Sequence, residues 1–186
     1  GFDGGGNEQM FNHPEGRFQR RGLQGGEYEV SASTPEGLVV VDVGLATPLS
    51  GVEGVLDRRV AAGSANLAEG PALSFEQVRS ALDHGARLAA ELVGQGYRCL
   101  LTGEMGIGST TAAAAVIAAL TGLAPSAVTG RGTGVDDEGL ARKVAVIERA
   151  VGRIAAAASP HEVLAEVGGL EIAFLSGLAV GGAAAG

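Results

Sequence analysis

The sequence has no tryptophan, and aromatic residues of any kind make up only 4% of it. An interior assembled from this chain must therefore rely on Ala, Val, Leu and Ile. The single cysteine, Cys99, excludes an internal disulfide and points to a reducing cytoplasm. Charged residues are sparse at 18%, and the net charge of −8 is acidic. Such a surface repels nucleic acid and anionic lipid, so neither is expected as a partner. No charged start followed by an apolar run and a small-residue cleavage site opens the chain, so no signal peptide is expected. The uncharged stretch 172–186 falls short of the roughly 20 residues a spanning helix needs. It reads as a buried helix packed through small residues.

What is abundant is glycine, 32 residues, far above the usual share of roughly 7%. No G-x-y period accompanies it, which excludes collagen. With 46% hydrophobic residues the chain is globular rather than disordered.

Residues 1–37 carry GFDGGG, NHPEG and GLQGG with Arg17, Arg20 and Arg21, and no apolar periodicity. They predict an irregular N-terminal arm. Residues 38–186 predict an α/β nucleotide-binding core. It opens with the β-branched run Leu38-Val39-Val40-Val41-Asp42-Val43, a buried strand of a parallel sheet. A polar connection over 45–73 follows. Ser74 then stands three residues before Gln77, a capping box, with Val78, Leu82, Ala86, Ala89 and Val93 at helical spacing, so 74–94 predicts a helix. Residues 97–102 (YRCLLT) predict a second strand that buries Cys99, and 103–108 a glycine turn. The uncharged, Ala-rich 109–120 predicts a buried helix, and 125–134 a loop. Residues 135–151 predict an amphipathic helix with Asp136, Asp137 and Glu138 at its positive end. Pro160 starts a short helix behind Ser159; Gly168 and Gly169 end it before a last apolar helix. Strands alternating with helices favour an open, mostly parallel Rossmann-like sheet covered by helices, with ligands at the strands' carboxyl ends.

The segment Gly103-Glu104-Met105-Gly106-Ile107-Gly108-Ser109-Thr110-Thr111 occupies that position. Helix-start N–H groups and the hydroxyls of Ser109 to Thr111 suit an anion such as phosphate; a plain packing turn is the alternative. Gly103, Gly108 and Thr110 fit the P-loop spacing, but Ser109 stands where that motif has lysine, which argues against an NTPase. A second glycine loop, Thr129-Gly130-Arg131-Gly132-Thr133-Gly134, leaves little side-chain bulk. It reads either as a ligand contact or as an unconstrained loop, with Arg131 on a phosphate or in solvent. Lys143 lies two turns into the next helix and matters only where it reaches back to those loops. Asp42, at a strand end, either reaches the site or caps a loop. His13, His84 and His161 lie on unlike elements without metal spacing, so no metal and no cofactor are expected.

GEMGIGSTTAAAA, TGRGTG, DDEGLARKVAVIERA and EVLAEVGGLEIA, in this order and spacing, resemble nicotinate-nucleotide–dimethylbenzimidazole phosphoribosyltransferase. VVDVG and the segment 63–72 upstream are similar to it as well. The resemblance runs from about Leu38 onward and implies transfer of ribose phosphate from nicotinate mononucleotide to dimethylbenzimidazole. Nicotinate leaves, and the product serves the cobalamin lower ligand. It implies that Gly106, Ile107, Gly108 and Ser109 lie against the nucleotide phosphate with Thr110, that Gly132 and Lys143 lie nearby, and that Glu104 faces the reacting ribose and base. A cytoplasmic homodimer is implied too. A non-catalytic nucleotide- or benzimidazole-binding relative is the alternative function.

Three departures stand out. Ser109 replaces the family's usual Asn, residues 1–37 match nothing in the family's N-terminal region, and its C-terminal glutamate has no counterpart here; Glu171, in GGLEIA, is not that residue. The resemblance thus implies a partial chain, with exposed apolar surface, self-association and little turnover expected of it.

Overall fold

The computed structural model describes residues 7–13, 16–22, 29–33, 37–49, 51–106, 108–132 and 134–186. It is mixed α/β and rich in helix. Two compact units emerge: one from the described residues up to Asp42 together with Leu49–Asp57, the other from Val43–Pro48 and Arg58–Gly186.

In the first unit, β1 (Asn7–His13), β2 (Gly16–Gly22) and β3 (Glu29–Ser33) form an antiparallel sheet in that order. The register pairs Phe11 with Phe18 and Phe18 with Ala32. These strands fall where the sequence predicts an irregular arm. Strand pairing is a backbone property and needs no apolar alternation, so a polar ladder leaves no periodic trace. The strand expected from Leu38 narrows to β4 (Val40–Asp42), which pairs in parallel with β5 (Val55–Asp57). β5 lies inside the predicted polar connection. Asp42, 4% exposed, ends β4 and accepts a hydrogen bond from the Leu49 N–H at 3.4 Å, the loop-capping role.

The second unit is helical. α1 (Phe75–Gly94) begins at Ser74 with both halves of the capping box formed, and it buries Val78, Ala81, Gly85, Leu88, Ala89 and Leu92 along one face. α2 (Ser109–Thr121) is buried through Ala112, Ala114, Ala115, Val116 and Ala118, while Ile117 and Leu120 stay exposed. Within the predicted 125–134 loop the structure forms α3 (Pro125–Val128), because Pro125 at the first helical position is already set for a turn. α4 (Asp137–Val151) is capped by the Asp136 side chain on the Gly139 N–H. α5 (Pro160–Val167) has the Ser159/Glu162 capping box, and the Ser159 N–H holds the Glu162 carboxyl below its ordinary range. α6 (Leu170–Ala185) follows the Gly168-Gly169 break and buries Leu170, Ala173, Phe174, Gly177 and Leu178.

α6 packs along α1 through absent side chains. A Cβ on Gly177 would stand 2.0 Å from the Leu82 carbonyl oxygen, and one on Gly85 would stand 2.0 Å from that of Phe174. The expected small-residue packing is therefore present, although Val180 near the helix end is 70% exposed. Arg153 fastens segment 63–72 to this bundle, donating at 2.9 Å to the carbonyls of both Leu67 and Gly70.

Residues 97–102 form no strand, which corrects the sequence expectation. A strand exists only through a neighbour's hydrogen bonds, and among the described residues no ladder reaches this segment. Leu101 is consequently 92% exposed, and Cys99 is exposed rather than buried. No helix among the described residues is long and apolar enough to cross a membrane.

Candidate functional site

The turn over 103–108 delivers the chain into α2 through Gly108, the N-cap residue, whose φ of 82° lies in the left-handed region that favours glycine. No side chain caps this helix start. The Thr111 N–H turns back to the Gly108 carbonyl at 2.9 Å, which leaves the N–H groups of Ser109 and Thr110 at the positive end of the helix.

Glu104 folds back over the turn. Its Oε2 accepts a hydrogen bond from the Gly106 N–H at 2.6 Å, and its Oε1 accepts one from the Ser109 hydroxyl at 2.8 Å. Ser109 is buried, 8% exposed, and its oxygen also lies 3.3 Å from the Gly106 carbonyl. The turn leaves no room at Gly106, where a Cβ would meet Glu104 Oε2 at 2.9 Å and Ser109 Cβ at 3.3 Å.

Lys143 does reach back from α4. Its Nζ donates to Thr110 Oγ1 at 2.8 Å and to the Gly130 carbonyl at 3.0 Å. Burial holds its ammonium below the ordinary lysine range. Gly132, at φ 60°, completes the group, since a Cβ there would stand 2.9 Å from Thr110 Oγ1 and 3.5 Å from Lys143 Nζ. One cation thus joins both glycine loops beside an uncapped helix start. Arg131 is turned elsewhere, to the Val135 carbonyl at 2.9 Å and to an ion pair with Asp137. Of the residues singled out from sequence, Glu104, Gly106, Gly108 and Ser109 gather on the turn, and Thr110, Gly132 and Lys143 beside it. Ile107 lies outside the described residues.

Glu171 is the addition that sequence reasoning missed. It sits in the first turn of α6, and its carboxyl carbon lies 3.7 Å from the Cβ position of Gly106. Burial, and further the charge of Glu104, push its carboxyl up, against a downward pull from its own backbone N–H. Two carboxyls therefore flank Gly106. A signal existed: Glu171 is the one charged residue in the α6 sequence, and a charge at the start of an otherwise apolar helix calls for a reason.

Elsewhere on the helical unit, a mostly apolar groove between α3 and α4 is lined by Ser126, Thr129, Leu140, Ala141 and Val144. It contains neither Lys143 nor Thr110 and lies apart from the glycine turn. Among the described residues no group of three or more His, Cys, Asp or Glu is arranged to hold a metal ion.

The phosphoribosyltransferase family profile matches residues 29–186. The nicotinate-nucleotide–dimethylbenzimidazole phosphoribosyltransferase of Thermus thermophilus is 44% identical over 169 residues, 91% of this chain and 50% of that protein. Its namesake from Chlorobaculum tepidum is 51% identical over 150 residues, 80% of this chain and 42% of that one. A crystal structure of CobT from Thermus thermophilus superposes with a TM-score of 0.76 at 47% identity, covering 79% of this chain and 44% of that one. The chain spans about half the length of these relatives.

Proposed function

The chain belongs to the phosphoribosyltransferase family, and from that premise we propose that it moves ribose phosphate from nicotinate mononucleotide to dimethylbenzimidazole. The products are α-ribazole phosphate and nicotinate, in assembly of the cobalamin lower ligand. The observation that carries this reading is Lys143, whose Nζ bridges Thr110 Oγ1 and the Gly130 carbonyl at the uncapped start of α2. A cation, a hydroxyl and the positive end of a helix at one point suit the 5′-phosphate of a nucleotide.

The phosphate lies against Gly106, Ile107, Gly108 and Thr110, with Gly132 and Lys143 beside it. This places the ribose toward Glu104 and Glu171. As the bond from the anomeric carbon to the pyridine nitrogen breaks, nicotinate departs with the electron pair. Positive charge grows on the ribose, where the negative charge of Glu104 stabilises it. The unprotonated benzimidazole nitrogen then bonds to the anomeric carbon through its lone pair, and the proton on the other ring nitrogen passes to a carboxylate of the Glu104–Glu171 pair. Burial pushes the Glu171 carboxyl above its ordinary value, which favours its taking a proton.

The same reading carries a nucleotide-binding core over 38–186, an open and mostly parallel Rossmann-like sheet, a cytoplasmic setting and a homodimer. The test is to incubate the chain with nicotinate mononucleotide and dimethylbenzimidazole and to measure ribosylated product and released nicotinate. Absence of both products, together with no nucleotide binding by calorimetry, removes the proposal.

A further inference from the structure

Ser109 and Thr110 stand side by side at the start of α2, each with a single hydroxyl proton, and their hydrogen bonds differ. Ser109 Oγ lies 2.8 Å from Glu104 Oε1 and 3.3 Å from the Gly106 carbonyl. One proton serves one acceptor well, and the shorter contact, to a carboxylate, prevails. That proton is then unavailable to a phosphate, which brings acceptors and needs donors. Thr110 is the reverse case. Its oxygen accepts from Lys143 Nζ at 2.8 Å, so its own proton remains free to donate. Thr110 is exposed, whereas Ser109 is 8% exposed.

The geometry points to a division of labour in which Ser109 is a positioning residue that holds the Glu104 carboxylate over the turn, while Thr110 alone of the two hydroxyls is presented to an anion. Glu104 is then pinned at both oxygens, by the Ser109 hydroxyl and by the Gly106 N–H. A carboxylate fixed in this way keeps its charge at one place without reorganising, which is what a site stabilising developing positive charge requires. The inference revises the sequence expectation that Ser109 itself contacts phosphate, and for the anion it rests on the function proposed above.

The experiment has two arms on the full chain. In the first, glutamate carboxyls are labelled with carbon-13, and the Glu104 signal is assigned through Glu104→Gln. Ser109→Ala shifts that signal and also the Gly106 amide signal, and Ser109→Thr, which keeps the hydroxyl, restores both. An unmoved Glu104 signal in Ser109→Ala overturns the positioning role. This arm needs no substrate, so it decides even if the proposed function fails.

In the second arm, calorimetry measures nicotinate mononucleotide binding. Ser109→Ala changes affinity by less than about threefold, and Thr110→Val weakens it by about tenfold. The opposite ranking makes Ser109 the phosphate donor and overturns the division. A wild-type chain that binds no nucleotide defeats the functional proposal and the Thr110 half with it, and leaves the Ser109 half to the first arm.

Discussion

Where α6 crosses α1, glycine is a gap that backbone fills; in the turn ahead of α2, most glycines border open space. Cβ atoms at Gly85, Gly177 and Gly181 would strike the facing helix at 2.0–2.5 Å. At Gly103 and Gly108 no described atom beyond the neighbouring residues in the chain lies within 4 Å of that position. The first set lets two helices touch, which a chain with few aromatics needs if small side chains are to fill its interior. The second set leaves a surface that a ligand can approach. Gly106 stands between the two uses, open to the turn yet hemmed in by Glu104 and Ser109.

The contrast predicts its own extremes. Gly177→Ala places a methyl against the Leu82 carbonyl, which no rotamer relieves, and it should cost about 3 kcal/mol. Urea unfolding measures this; a loss below about 1 kcal/mol means that α1 and α6 separate freely. Gly106→Val should leave the fold standing and abolish nicotinate mononucleotide binding, because its branches intrude where the proposed phosphate position lies. Unchanged calorimetric affinity would remove the turn from the binding site.

Lys143→Ala probes the bridge between the glycine loops. Nucleotide affinity should fall by about tenfold or more, the scale of one charge-assisted hydrogen bond, with a smaller effect on dimethylbenzimidazole. Equal losses for the two ligands assign Lys143 to stability alone.

Glu171→Gln tests the carboxyl pair through pH. Burial first, and Glu104 second, raise the folded carboxyl above its ordinary value of 4.5. The folded chain therefore binds this proton more tightly than the unfolded one. Stability from that difference is complete below the ordinary value and is lost as pH rises through the raised one. Glu171→Gln should flatten that decline in thermal unfolding between acid and neutral pH, and an identical slope in both proteins contradicts the assignment. Gly103→Ala closes the series. With nothing near its Cβ position, it should change stability by less than about 0.5 kcal/mol. A larger loss would place the whole turn among the packing glycines.

Much of the helical unit is legible in local sequence. Ser74 with Gln77 and Ser159 ahead of Pro160 are local signals, and each starts a helix at the residue expected, whereas α4 starts at Asp137, two residues after the expected Val135, because Asp136 caps it. Gly168-Gly169 marks a true break. The glycine turn at 103–108 is legible as a turn that leads into a helix, from its composition and its place in the chain. Lys143 is legible only through resemblance to a family, since spacing alone does not say which way a lysine on a helix points.

Strands are less legible. β5 is three residues inside a polar stretch, β1 to β3 carry no apolar alternation, and the apolar run 97–102 has no partner strand among the described residues. Apolar character makes 97–102 look like a strand, but hydrogen-bond partners decide strands, and partners are not local.

The sequence by itself determined the helix starts, the glycine turn, the acidic surface and the family, because each rests on neighbouring residues or on ordered motifs. Tertiary structure alone decided that Lys143 meets Thr110 across 33 residues. It alone brought Glu171 to Gly106 and turned the hydroxyl of Ser109 to Glu104. Those contacts depend on helix orientation and on which acceptor a single proton reaches, and neither is written in spacing along the chain.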